Sequence, residues 1–198
     1  GHTAMIIHQD KKYLGIISVM DVARPEAMAT LAALKKMGIK RMIMLTGDNQ
    51  KVADAIAKTI GITDPLGSLL PEEKVSAIEK LKQELGNVAM VGDGVNDAPA
   101  MAKSTVGIAM GAAGSDVALE TADIALMADK LDNLPFAIGL SRKAKRIIKQ
   151  NLIISLGMVA ILVPLTLMGM VEIGPAVVGH EGSTLLVVLN ALRLLRYK

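Results

Sequence analysis

The string "VAMVGDGVNDAPAM" sets Asp93 and Asp97 four residues apart, with Asn96 beside the second and Gly92 and Gly94 flanking the first. The apolar run Val88 to Val91 reads as a buried strand, so both carboxylates converge on the mouth at its end, where the glycines permit close backbone approach. Two carboxylates so near each other repel. A hard cation such as Mg²⁺, which takes oxygen ligands from one or two carboxylates plus a substrate phosphate, removes the conflict. A polar turn capping a helix at Asp97 explains one aspartate but not the whole string. A second string, "IMLTGDNQ", runs from strand residues Ile43 to Leu45 into Thr46, Gly47 and Asp48 just before a helix. Amides at such a helix start attract an anion, and the Thr46 hydroxyl is a donor for a phosphoryl oxygen. Thr, Gly and Asp are equally ordinary turn and capping residues. Lys74, in "PEEK" at the start of a helix between the two strings, can bring positive charge to the same phosphate, although a lysine there is also an ordinary solvated residue.

A third constellation lies in "VVGHEGSTLLVVLNALRLL", where His180 and Glu181 stand side by side in an otherwise almost wholly apolar stretch. A charged side chain at the centre of a membrane helix costs about 2.5 to 3.5 kcal/mol on insertion scales, so it persists where it faces a pathway, a partner or an ion. Thr184 returns a hydroxyl to the same helical face. Nitrogen and oxygen ligands suit Zn²⁺, Co²⁺ or Fe²⁺ better than they suit Cu⁺, which prefers sulfur. The alternative puts both residues at the outer headgroup level beside "EIGP", merely solvated.

These residues need elements to hold them. Apolar, β-branched runs at Tyr13 to Met20, Arg41 to Leu45, Val88 to Val91, Thr105 to Met110 and Asp123 to Met127 predict buried parallel strands. "TAMIIH" before them is also strand-like. "RPEAMATLAALKKMG", "NQKVADAIAKTIG" and "PEEKVSAIEKLKQELG" predict helices between the strands, each closing on a glycine. Strict alternation predicts an α/β fold, a doubly wound parallel sheet whose ligands bind at the carboxyl ends of the strands.

Composition divides the chain. It is 52% hydrophobic with two tyrosines, one phenylalanine and no tryptophan, yet 21% charged, and nearly all its acidic residues precede position 133. Residues 151–171, "NLIISLGMVAILVPLTLMGMV", carry no charge, long enough to span a bilayer at about 20 residues per crossing. A second span is expected from about Ala176 to Leu195, after a break at "EIGP". The chain therefore reads as a soluble domain to about Asp129, a basic connecting helix and a two-helix transmembrane hairpin. Arg142, Lys143, Lys145, Arg146 and Lys149 precede the first span, and Arg193, Arg196 and Lys198 end the second, so both flanks are expected on the cytoplasmic side. Beside a membrane span, that basic run suits lipid headgroups rather than nucleic acid. The net charge of +3 adds nothing to that choice, and the absence of cysteine excludes disulfides and thiolate metal sites within the segment.

"LTGDN", the "PEEK" lysine and "MVGDGVNDAPAMAKSTVGIAMG", in this order, resemble the motifs of P-type ATPase ion pumps, whose phosphorylation domain has the haloacid dehalogenase fold. The resemblance runs from about Tyr13 to the last residue. It implies that residues 1–17 end a nucleotide-binding domain, that 18–129 form the second portion of the phosphorylation domain, that 130–150 connect, and that 151–198 form the membrane hairpin. "DVARPEA" is similar to the family's hinge motif, placing Asp21 and Arg24 at that joint. By resemblance, Thr46, Gly47, Asp48 and Lys74 serve the phosphoryl group, Asp93 ligates Mg²⁺, and Asn96 and Asp97 support the metal and the nucleophile, with ATP as substrate. The family's phospho-acceptor motif, DKTGT, does not occur here, so this chain is expected to be the carboxyl-terminal part of a pump and inactive by itself. A terminal hairpin resembles the heavy-metal subfamily. "HEGSTLLVVLNALRLL" looks like the last-helix signature of its cobalt, zinc and iron-exporting branch, which implies that His180, Glu181 and Thr184 meet the transported ion. The zinc, cadmium and lead branch is one alternative, and a non-catalytic membrane fragment that binds metal is the other. The family implies an integral protein of a bacterial or archaeal plasma membrane, with its soluble domain cytoplasmic and the remaining domains of the pump as partners.

Overall fold

The computed structural model describes residues 3–19, 22–92, 95–111 and 120–197, and divides into two compact units, residues 1–135 and 136–198. Asp21, Asp93 and Lys198 lie outside the described residues.

The first unit opens with strands β1 (Thr3–Gln9) and β2 (Lys12–Val19), paired antiparallel around a turn at Asp10. This corrects the expectation of a buried parallel strand over Tyr13 to Met20. Ile6 and Ile16, which pair across the ribbon, are 66% and 60% exposed. A continuous apolar run signals a strand covered on both faces, whereas successive residues of the ribbon such as Met5 and Ile6, which point to opposite faces, are both exposed among the described residues.

The α/β core follows. Helix α1 (Ala27–Lys36) begins two residues after Pro25 and stops at Gly38, whose φ of +87° suits a residue without a side chain. Strand β3 (Ile43–Leu45) leads to α2 (Gln50–Ile60), where the Asn49 side chain accepts from the amide of Val52 at 3.0 Å and Gly61 takes the left-handed C-terminal position. Strand β4 (Asp64–Leu66) precedes α3 (Pro71–Leu85), with Pro71 in its first turn and the Glu73 carboxylate accepting from the amide of Leu70 at 2.8 Å. Next come β5 (Ala89–Gly92), a 3₁₀ turn at Val95–Asp97, the short α4 (Ala98–Lys103), β6 (Val106–Met110) and β7 (Ile124–Leu126).

All the core ladders are parallel, β3 with β4 and β5 with β6 with β7. Strand β4 had no sequence signal because its three residues are Asp, Pro and Leu, and proline is depleted in strands. Ile78 of α3, Met90 of β5, Ala98, Ala100 and Met101 of α4 and Ala109 of β6 form one buried cluster, against which Leu45 of β3 packs. Its small residues let α4 lie close on the sheet. A Cβ at Gly107 would approach the Met101 Cβ to 3.2 Å.

The second unit is built on two long helices, α5 (Asn133–Leu167), which begins at the end of the first unit, and α6 (Ile173–Leu192), followed by a 3₁₀ turn at Arg193–Arg196. The basic stretch and the first apolar span form one helix, about 52 Å long at 1.5 Å per residue. Among the described residues, α5 is the helix long and apolar enough to cross a membrane by length and composition, with a mean hydropathy of 1.9 over its most apolar window. In α6, His180, Glu181 and Asn190 dilute the apolar character. "EIGP" is not the expected break: Glu172 is the residue just before α6 and Pro175 lies in its first turn, where a missing amide donor costs nothing. The chain turns earlier, at Gly169 with φ of +70°.

Candidate functional site

Both soluble-domain strings fall at carboxyl ends of parallel strands. Thr46 and Asp48 follow β3, partly buried, and lock each other: the Thr46 hydroxyl donates to Asp48 Oδ2 at 2.9 Å and accepts from the Asp48 amide at 3.1 Å. A phosphoryl oxygen reaching Thr46 must therefore compete with Asp48 for the hydroxyl proton. Gly47 is exposed, with the Leu69 carbonyl 3.5 Å from where its Cβ would stand.

Two residues without a motif signal shape this loop. Gln50 donates to the Pro65 carbonyl at 3.0 Å and accepts from the Gly67 amide at 2.7 Å, joining the loops after β3 and β4. A Cβ at Gly67 would lie 2.7 Å from the Gln50 Cα, so only glycine fits that crossing. The "PLGS" sequence gives one hint, a glycine two residues after a proline and just before a serine, and the reason for it is visible only across the two loops.

At the end of β5, Lys74 Nζ meets Asp97 Oδ1 at 2.8 Å, and both side chains are 16% exposed. A mostly buried ion pair of this kind fixes the Asp97 carboxylate in place, and it leaves Oδ2 outside the pair. A carboxylate oxygen is the donor Mg²⁺ prefers, so the residue fits that ion. Gly92 supplies the clearance: a Cβ on it would lie 2.7 Å from the Asp97 Cβ and 2.9 Å from Oδ2. Asn96 is exposed beside them, in the 3₁₀ turn that starts α4. The structure thus brings Lys74, Gly92 and Asp97 together and Thr46 with Asp48.

In the second unit, His180 and Glu181 lie seven and eight residues after the start of α6 at Ile173, about 10 to 12 Å along the helix. Both line a groove of about 460 Å³, otherwise walled by apolar side chains such as Val159, Leu162 and Val177 and by Thr166. Thr184 is not among the residues that line it, and its hydroxyl turns back to the His180 carbonyl at 3.4 Å. Ser183 is buried and donates to the same carbonyl at 2.6 Å. A Cβ at Gly179 would stand 3.7 Å from Leu162, in ordinary van der Waals contact, so α6 faces α5 at this position. Among the described residues, no group of three or more His, Cys, Asp and Glu is placed to hold a metal ion. His180 and Glu181 supply at most part of a coordination shell.

Residues 2–105 match the model of the haloacid dehalogenase-like hydrolases. Over 198 residues the chain is 52% identical to a probable cadmium-transporting ATPase of Staphylococcus aureus, covering 100% of this chain and 25% of the relative. It is 48% identical over 196 residues to a zinc-transporting ATPase of Bacillus subtilis (strain 168), covering 99% of this chain and 30% of the relative. The crystal structure of a zinc-transporting PIB-type ATPase in the E2.Pi state superposes with a TM-score of 0.85 at 45% identity, over 98% of this chain and 32% of that one. The chain spans between 25% and 30% of the length of these two curated relatives. It belongs to the haloacid dehalogenase-like hydrolase family, and over its whole length it is similar to part of heavy-metal-transporting P-type ATPases.

Proposed function

We propose that this chain is the carboxyl-terminal part of a membrane pump that exports a divalent heavy-metal ion, driven by ATP through an aspartyl-phosphate on a residue outside the chain. Zn²⁺ is the preferred cargo and Cd²⁺ the second. The last-helix signature favours cobalt, zinc or iron and the relatives are named for cadmium and zinc, so zinc is the ion common to both. The observation that carries the reading is the position of His180 and Glu181 in the wall of an apolar groove, two helical turns inside α6.

In the soluble unit, phosphoryl transfer demands positioning and neutralisation of charge. Lys74 carries the positive charge that steadies the phosphoryl oxygens, and Thr46 donates its hydroxyl proton to one of them after leaving Asp48. Asp97 and Asp93 would hold Mg²⁺, which supplies further charge neutralisation when bound, and Asn96 supports that carboxylate pair. In the membrane unit, imidazole nitrogen and carboxylate oxygen reach an ion from two sides, because neighbours on a helix point about 100° apart. The remaining ligands come from other helices of the pump. Positive charge at both ends of the hairpin keeps the soluble unit on the cytoplasmic side.

The test uses the complete pump carrying this segment. Asp97→Asn should abolish phosphoenzyme formation from ATP. His180→Ala and Glu181→Gln should each remove Zn²⁺- and Cd²⁺-stimulated hydrolysis while phosphorylation from inorganic phosphate persists. Unchanged stimulation by both metals in the Glu181 variant would overturn the membrane site, and normal phosphoenzyme in the Asp97 variant would overturn the soluble one.

A further inference from the structure

The two helices of the second unit are tied at one end by a polar cluster. The Asn190 amide donates to Asn151 Oδ1 at 2.8 Å and to Gln150 Oε1 at 3.2 Å, and Arg193 donates to Asn190 Oδ1 at 2.7 Å. Next to this tie, Gln150, Ile153, Ile154, Leu186, Asn190 and Arg193 line a groove of about 440 Å³. Its chemistry is graded along the helix axis: aliphatic walls from Ile153, Ile154 and Leu186 lie on the side of the apolar span, and polar groups and the exposed Arg193 lie at the end that carries the basic residues. Arg146, also exposed, sits one turn before Gln150 on the same face of α5, about 5 to 6 Å away between Cβ atoms. Lys145 and Lys149 flank it, and no acidic residue occurs anywhere in α5.

We propose that this groove is a binding site for an anionic phospholipid of the cytoplasmic leaflet. One acyl chain lies between Ile153, Ile154 and Leu186, and the headgroup phosphate lies between Arg146 and Arg193. The depth fits. Arg146 is about 7 Å along the helix from Asn151, where the uncharged span begins, which places it within the headgroup region, about 5 to 7.5 Å thick on each side of the hydrocarbon core. Charge favours an anionic headgroup over a zwitterionic one, since each Lys or Arg near the surface strengthens attraction to anionic lipid about fivefold. The Asn190 tie holds the groove walls at fixed spacing, so the site is formed before the lipid arrives. This inference is independent of the transported ion and of the soluble mouth.

The test titrates the whole purified chain, in a nonionic detergent, with phosphatidylglycerol or phosphatidylcholine and counts bound lipid by native mass spectrometry. Phosphatidylglycerol should bind at least tenfold more tightly. Arg146→Gln should weaken it about fivefold while Arg146→Lys retains it, and Leu186→Trp, which fills the groove, should remove it. Lys58→Gln, the same loss of charge on an exposed face of α2, should change nothing. Arg146 lies outside the polar tie, so its variants remain readable if Arg193→Gln loosens the hairpin. Equal affinity for the two lipids, full competition by soluble glycerol phosphate, or equal weakening by Lys58→Gln and Arg146→Gln would overturn the proposal, the second leaving only a site for free phosphate and the third only a diffuse charge effect.

Discussion

Asp97 is positioned by what surrounds it on two sides, an ammonium in front and a glycine behind. Lys74 holds Oδ1 at 2.8 Å, and Gly92 leaves the space that the rest of the carboxylate occupies. Adding one methyl group at Gly92 must push Asp97 off this position, because the neighbouring atom is the first carbon of the side chain and cannot swing away. Gly92→Ala in the complete pump is therefore expected to slow phosphoenzyme formation about a hundredfold, the order of loss that a displacement of about 1 Å produces. Quenched-flow phosphorylation measures this. The overpacking itself should cost about 1 to 3 kcal/mol, so the variant still folds. A normal rate would mean that the Asp97 position is not what the reaction uses.

Strand β4 shows how an element with little intrinsic propensity is kept in place. Its first residue, Asp64, accepts from the Thr63 hydroxyl at 2.6 Å and pairs with Arg41 at 2.8 Å, beside the start of β3. The Thr63 hydrogen bond first, and then the Arg41 guanidinium, hold the Asp64 carboxyl below its ordinary value. A carboxyl with a depressed folded pKa contributes stability above its unfolded value of about 3.9 and loses it as the pH falls through the folded value. Asp64→Asn should therefore flatten the acid limb of the stability curve of the soluble unit below about pH 4. Thermal unfolding followed from pH 5 to pH 3 checks this, and an unchanged acid limb would show that other carboxylates set it. In α5 the same scale explains the merger of a basic helix and an apolar span. Residues 133–163 contain no proline after Pro135 in the first turn, so no lost backbone donor separates the two characters.

The molecule is two units with separate sources of stability. The soluble unit rests on the cluster around Met90 and Met101, while the helices of the second unit expose large side chains such as Leu152, Leu156 and Leu189. Exposed apolar surface of that extent is stable in lipid or detergent and not in water. Urea added to the detergent-solubilised chain is expected to unfold residues 1–135 cooperatively while the α5 and α6 helices persist, leaving substantial residual ellipticity at 222 nm. A single transition that removes all helical signal would show the units to be one cooperative structure. The β1–β2 ribbon, apolar on both faces, should bind a hydrophobic dye before any urea is added.

The sequence alone determined the elements whose signals are local. Period 3.6 in α1, α2 and α3, the cap at Asn49, the first-turn proline Pro71, and the stops at Gly38, Gly61 and Gly86 all depend on residues within one turn. So does the placement of "LTGDN" and Asp97 at strand ends, since a strand followed by a helix start is written in adjacent residues. Tertiary structure decided what depends on partners far along the chain. It turned the apolar run at Tyr13 into an antiparallel ribbon, because pairing with β1 settles direction and apolarity does not. It paired Lys74 with Asp97 across 23 residues and left Thr46 engaged with Asp48. It also moved the turn of the hairpin from "EIGP" to Gly169, which sets His180 and Glu181 two turns inside α6, because a proline in the first turn of a helix is an opening and not a break.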